Sequence, residues 1–218
     1  GRFFKKYKMI IGGHSGIGRD DIFNILTKPD AFVALTEYQK NWAKKWTWGS
    51  NLEKISNGID LKKFKPNGKK CKINLKRPIV LSVGALSWYK HHEKVIYALE
   101  NLKDFSLLIV GEGEEKSKLL NLGNEKLGKR FKIIKANYKD LPNIYRSCDI
   151  FTLPSWDRES FGIVYLEAMA TNLPIVAPND LSRREIIGKA GILTDVDNPE
   201  KFGKSIQKAL SKNWGDIP

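Results

Sequence analysis

After residue 77 the chain alternates six short, almost wholly apolar runs with helical patterns, and this alternation constrains the fold more than any other feature. The runs occupy residues 78–83, 107–110, 131–134, 150–153, 174–177 and 191–193. Between and after them, apolar residues at helical spacing predict helices over 91–102, 114–122, 141–146, 161–170, 182–187 and 199–210. Strands with no polar face must be covered on both sides, and helices returning between strands make the pairing parallel. The expectation is an α/β, doubly wound parallel sheet, Rossmann-like, over about residues 59–212. Ligands of such sheets lie at the carboxyl ends of the strands. The loops after Val83, Val110, Ile134, Leu153 and Ala177 are therefore where chemistry belongs.

Residues 1–58 read differently. Residues 8–11 and 31–35 predict two strands, and Thr36 with Gln39 forms a capping box for a helix carrying Tyr38, Trp42 and Trp46. Residues 54–60 read as a strand, a turn and a linker. Two strands and one helix are too little for an independent core. Residues 1–58 are thus expected to be the remnant of a first domain, and 59–218 a complete second one. At 41% hydrophobic the 218 residues support a folded core. The net charge of +14 is spread thinly, with no nucleic-acid signature, so it fits anionic ligands or an anionic membrane surface better than nucleic acid. No apolar run reaches the ~18–20 residues of a membrane span. The basic start, residues 1–6, is followed by no signal-type segment, which predicts a cytoplasmic location with, at most, peripheral contact with the inner face of the membrane. Cys71 and Cys148 suffice for neither a disulfide framework nor a zinc site and are expected to be free, buried thiols. Three scattered histidines give no metal spacing, and no metal or other cofactor is expected.

The stretch from Glu159 to Ala170 follows the fourth apolar run. A helix beginning at a strand's carboxyl end offers free N–H groups and a dipole to an anion. Gly162 lets a ligand approach the backbone. Glu167 lies four residues after Ile163 on the same helix face, ~6 Å deeper. That is the step from a diphosphate to a ribose, whose two hydroxyls a carboxylate can accept. Glu159, ahead of the helix, faces whatever hangs beyond the phosphate. Lys90, expected to head the helix 91–102, is disfavoured by the dipole unless an anion sits there.

These residues resemble the E-x7-E motif of retaining glycosyltransferases of family 4, with the GT-B fold. Four further segments match in order: 54–60 with Phe64 and Pro66; 80–98 with Gly84 and Lys90; 108–113; and 145–154 with Cys148 and Asp149. The resemblance covers about residues 54–210. It implies a retaining transfer of a sugar from a UDP- or GDP-linked donor to a saccharide or lipid-linked acceptor. It implies that Glu159 bonds hydroxyls of the donor sugar and that Ser160, Phe161 and Gly162 line its pocket. It further implies that the N–H groups near Ile163 and Val164 hold the diphosphate, that Glu167 holds the ribose, and that Lys90 neutralises the leaving phosphate beside Gly84. The base is expected near Lys135 and Tyr138, after the third strand. His14, in the glycine-rich loop 12–16, matches the position of the family's first-domain histidine at the reaction centre. There are two departures: the family's usual arginine after the first-strand glycine is Ala85 here, and Lys90 is followed by His91 rather than glycine.

Rival readings are weaker. Gly13-His14-Ser15-Gly16 lacks the closing glycine of a nucleophile elbow, since residue 17 is Ile. Gly111-Glu112-Gly113 lacks the third glycine of a dinucleotide fingerprint, since residue 116 is Lys. A sugar-nucleotide epimerase of GT-B architecture, and a fragment that binds sugar nucleotide without turnover, remain as alternatives. His91 and His92 read as surface residues at a helix start.

Overall fold

In the computed structural model, residues 7–214 are described; the basic stretch 1–6 lies outside them. The larger sheet has six parallel strands: β4 (Ile79–Val83), β5 (Ser106–Val110), β6 (Phe131–Ile134), β7 (Ile150–Thr152), β8 (Ile175–Pro178) and β9 (Gly191–Thr194). Their spatial order is β6-β5-β4-β7-β8-β9, the doubly wound arrangement expected. The order reverses between β4 and β7, so the crevice for a ligand opens there.

Alternation along the strands explains why they are apolar throughout. In β4, Val80 faces one core, with Leu107 and Ile109 of β5, under α3 (His92–Leu99), α4 (Lys116–Leu127) and α8 (Pro199–Ser211). Ile79, Leu81 and Val83 face the other core, with Leu108 and Val110. That core packs under α5 (Leu141–Tyr145), α6 (Ile163–Ala170) and α7 (Leu181–Ile187). Both faces are dry, as a parallel sheet requires. Two of these helices start at side-chain caps. Asn198 caps α8, with Pro199 in its first turn. Asp180 caps α7 by accepting the Arg183 N–H.

The first part of the chain holds more than expected. Three parallel strands, β1 (Ile10–Gly12), β2 (Ala31–Ala34) and β3 (Asn51–Lys54), pair in that order. Two helices accompany them: α1 (Arg19–Leu26), which the sequence pattern did not predict, and α2 (Glu37–Ala43). α1 has Gly18 at its N-cap and no side-chain cap, so the usual start signal is missing. The capping box at α2 is half formed. Thr36 Oγ1 accepts the Gln39 N–H, but Gln39 Oε1 accepts the N–H of Leu35 rather than that of Thr36. Residues 55–78, between the sheets, contain no strand or α-helix. Both cysteines are free; Cys148 is buried and Cys71 half-buried. Among the described residues no helix is long and apolar enough to cross a membrane.

Candidate active site

The crevice between the ends of β4 and β7 is a cleft of about 480 Å³, and its walls come from four places in the chain. The β4 loop supplies Gly84, Ala85, Tyr89 and Lys90. The β7 loop and the start of α6 supply Glu159 to Val164. The first lobe supplies His14, and the segment between the sheets supplies Asn57.

The β4 loop is held by backbone. Gly84 N–H donates to Val110 O at 3.1 Å and Leu86 N–H to Glu112 O at 2.8 Å. A Cβ at Gly111 would lie 1.9 Å from the Gly84 carbonyl oxygen, so the β4 and β5 loops can touch only through glycine. Lys90 does not head α3. It ends a 3-10 turn, Trp88–Lys90, and α3 begins after His91. His91 takes φ 53°, in the left-handed region that glycine enters most easily. That geometry explains the glycine common at this place in the family.

His92 is buried, not on the surface as expected. Its Nε2 lies 3.3 Å from the Ala85 carbonyl and its Nδ1 3.0 Å from Ser82 Oγ. A carbonyl can only accept, so Nε2 carries the proton and Nδ1 accepts from the serine hydroxyl. Burial pushes the pKa of His92 down to about 4. The imidazole is therefore a neutral strut between strand and loop. Unfolding frees it to bind a proton near its ordinary 6.5. Its contribution is complete above pH 6.5 and is lost as pH falls towards 4, by about 3 kcal/mol in total. Unfolding free energies measured through this window should fall less steeply for His92→Asn than for the parent. Parallel curves would exclude the strut.

The β7 loop turns into α6 at Gly162, φ +79°, where a Cβ would meet the Tyr165 ring at 2.7 Å. Tyr165 is fully buried, and its hydroxyl donates to Leu153 O at 2.6 Å. Beneath the loop lies Arg183, which the sequence reading passed over. Its guanidinium is fully buried and donates to Asp180 Oδ2 at 2.9 Å, Ser155 Oγ at 2.6 Å and Trp156 O at 2.9 Å. Trp156 N–H in turn donates to Tyr89 O at 3.0 Å, tying the two loops together. The Lys90 ammonium is thereby placed in an ion pair with the Glu159 carboxylate, the two side chains being 15% and 13% exposed.

Two oppositely charged groups thus converge beside a helix start. The first N–H groups of α6 have no partner within the helix and carry the positive end of its dipole. The combination can hold a diphosphate, with a carboxylate left to accept hydroxyls.

Glu167 stands one turn behind this wall, 2% exposed. The Tyr145 hydroxyl donates to its Oε2 at 2.9 Å. Burial raises its pKa. Lys135 and Tyr138 are not brought into the cleft, because β6 is an edge strand two positions from the switch point. Lys135 pairs with Glu112 at 2.6 Å and lines a separate cavity; Tyr138 packs on Phe64.

His14 reaches the cleft by a relay the sequence concealed. Gln39 Nε2 donates to Gly13 O at 2.7 Å and to buried Asp21 at 2.8 Å, holding the β1 loop. Gly16, φ +81°, presses that loop on the β7 loop; a Cβ there would lie 2.0 Å from Arg158 O. Glu185 of α7 accepts the Glu37 N–H and pairs with Lys54 at 3.1 Å, joining the lobes a second time. Among the described residues no three His, Cys, Asp or Glu side chains are grouped to hold a metal.

The architecture recurs in solved glycosyltransferases. It matches Anabaena HepE, solved in complex with UDP-glucose, at TM-score 0.78 and 20% identity, over 94% of this chain and 63% of that one. It matches a glycosyltransferase of Rickettsia africae at TM-score 0.77 and 21% identity, over 95% and 62%. Fold and crevice together define a Rossmann-like half of a GT-B glycosyltransferase, joined to a smaller three-stranded lobe.

The chain belongs to the family Glycosyl transferases group 1, which matches residues 64–216. It is 33% identical over 178 residues to an uncharacterized glycosyltransferase of Methanocaldococcus jannaschii, covering 74% of this chain and 45% of that protein. It is 26% identical over 214 residues to a GDP-mannose-dependent phosphatidylinositol monomannoside mannosyltransferase of Corynebacterium glutamicum, covering 88% and 56%. The chain thus spans about half the length of these relatives.

Proposed function

We propose that this chain binds the donor of a retaining glycosyltransferase, which moves a hexose from a UDP- or GDP-linked sugar to an acceptor hydroxyl. One observation carries the reading: Lys90, Glu159 and the start of α6 meet in one cleft at the switch point of the sheet. The N–H groups of Ile163 and Val164 hold the diphosphate, with Gly84 allowing close approach. Glu159 accepts sugar hydroxyls within the wall formed by Ser160, Phe161 and Gly162. Lys90 stabilises the charge that grows on the leaving phosphate, the role a bound cation plays elsewhere. Glu167, whose Oε2 is held by the Tyr145 hydroxyl, accepts the ribose hydroxyls. His14 faces the reacting carbon from the first lobe.

On this reading residues 1–58 are the part of the acceptor-side domain that touches the donor, and 59–218 form the donor domain. The acceptor is a saccharide or a lipid-linked saccharide. Two relatives support the second choice: the Corynebacterium enzyme named above acts by its name on a phosphatidylinositol mannoside, and a Campylobacter jejuni enzyme by its name on an undecaprenol-linked saccharide that contains N-acetylgalactosamine. We place the reaction in the cytoplasm.

Titration calorimetry with UDP and with GDP tests the reading. Saturable binding of one of them is expected. Glu167→Gln keeps the Tyr145 contact but gives up the charge-assisted ribose bonds, so it should weaken nucleoside diphosphate binding on the order of 10- to 100-fold. Glu159→Ala should spare the nucleoside diphosphate and weaken the sugar nucleotide. Binding of neither nucleotide, or equal binding by the Glu167 variant, would overturn the assignments.

A further inference from the structure

The positive charge is less evenly spread than expected: the segment between the two sheets holds a concentration of it that the donor site does not use. Residues 62–77 contain seven lysines and one arginine, and no acidic residue. All eight are exposed. Lys63 pairs with Asp60, Lys76 with Asp104 and Arg77 with Asp149. Lys62, Lys65, Lys69, Lys70 and Lys72 have no ion-pair partner among the described residues.

This strap has no regular secondary structure, yet it is fastened to the donor-side lobe. Arg146, nearly buried, donates to the carbonyls of Lys69 at 2.9 Å and Lys65 at 3.1 Å. The Cys71 N–H donates to Ser147 Oγ at 2.8 Å. Phe64, fully buried, packs edge-on against Tyr145. An arginine spent on holding lysine main chain fixes the backbone and leaves the ammonium groups outside. Like charges held this close repel one another, and an anionic counter-surface relieves that repulsion.

We propose that this strap docks the protein on an anionic lipid surface. One feature favours lipid over nucleic acid. The exposed large apolar side chains on the same connecting segment are Ile55 and Leu61, 62% and 68% exposed. Aliphatic groups offer a base no stacking face, but they bury readily at the headgroup boundary. The inference rests on charge, exposure and fastening, and stands apart from the donor assignment.

The test is co-sedimentation with vesicles of phosphatidylcholine alone, or of phosphatidylcholine with phosphatidylglycerol. The protein should partition to the anionic vesicles and lose them as salt rises. Each lysine near such a surface strengthens binding on the order of 5-fold. Replacing Lys62, Lys65, Lys69, Lys70 and Lys72 together by Gln should therefore weaken partition at least about 100-fold. A control variant with Lys44, Lys45, Lys116, Lys189 and Lys208 replaced by Gln has the same net charge and should keep most of the binding. Leu61→Ser should weaken binding without altering its salt dependence. Equal losses in the two five-lysine variants would show a diffuse charge effect and overturn the proposal. So would tighter binding to single-stranded RNA than to the anionic vesicles. Calorimetry with UDP and GDP on both variants keeps the result separate from the donor site, which neither touches.

Discussion

Replacing Lys90 by alanine lowers the rate of sugar transfer at saturating donor on the order of 10²- to 10³-fold. The argument rests on when the charge is needed. Before donor binds, the Lys90 ammonium is paired with Glu159. On the proposed reading, donor binding exchanges both partners: the ammonium passes to the diphosphate and the carboxylate to sugar hydroxyls. As the glycosidic bond breaks, negative charge grows on the leaving phosphate. The lysine's attraction is therefore greater in the transition state than in the bound donor, and its loss falls mainly on turnover. In the alanine variant Glu159 also keeps a half-buried charge with no counter-ion, pointed at an anionic ligand. Release of nucleoside diphosphate from the sugar nucleotide, measured under saturation, checks this. A rate within a factor of a few of the parent would remove Lys90 from the chemistry.

The second large effect is on stability. Arg183→Leu should cost about 3 kcal/mol, because it strands groups arranged around a buried cation. The Ser155 hydroxyl and the Trp156 carbonyl lose their donor, and Asp180 keeps only its cap to the Arg183 N–H. The Trp156 to Tyr89 tie then hangs on an unsupported loop, so donor binding should weaken as well. Arg183→Lys restores the charge but not the fork, so it should recover only part of both losses. Urea unfolding measures the first effect and calorimetry the second. A loss in the leucine variant below about 1 kcal/mol would mark the network as a surface pair.

How much of this was legible in the sequence depended on the range of the interactions. The six strands were legible because burial removes most of the polar residues that would blur the pattern, as in β5, where Ser106 is the only polar position. Glu167 was legible because helix geometry fixes its spacing from Ile163 locally, whereas Glu159, in the loop before α6, was singled out by the family resemblance. α1 was not, since a glycine replaces its cap and the buried face includes Asp21, whose partner Gln39 lies 18 residues on. His92 was misplaced because burial is decided by Ser82 and Ala85, on another element. Arg183 lies within the helix predicted over 182–187, but nothing in the sequence shows where its guanidinium goes. The pairing of Lys90 with Glu159 spans 69 residues and follows only from the reversal of strand order.

Gly16 decides something larger than its own turn. His14 stands on one lobe, Lys90 and Glu159 on the other, and the β1 loop meets the β7 loop at a residue with no side chain. The width of the cleft between the lobes is therefore set by the thickness of a bare backbone. A single methyl group at position 16 would act as a wedge, with His14 on one side and the Arg158 backbone beside Glu159 on the other. The chain could lose its chemistry through a residue that has none.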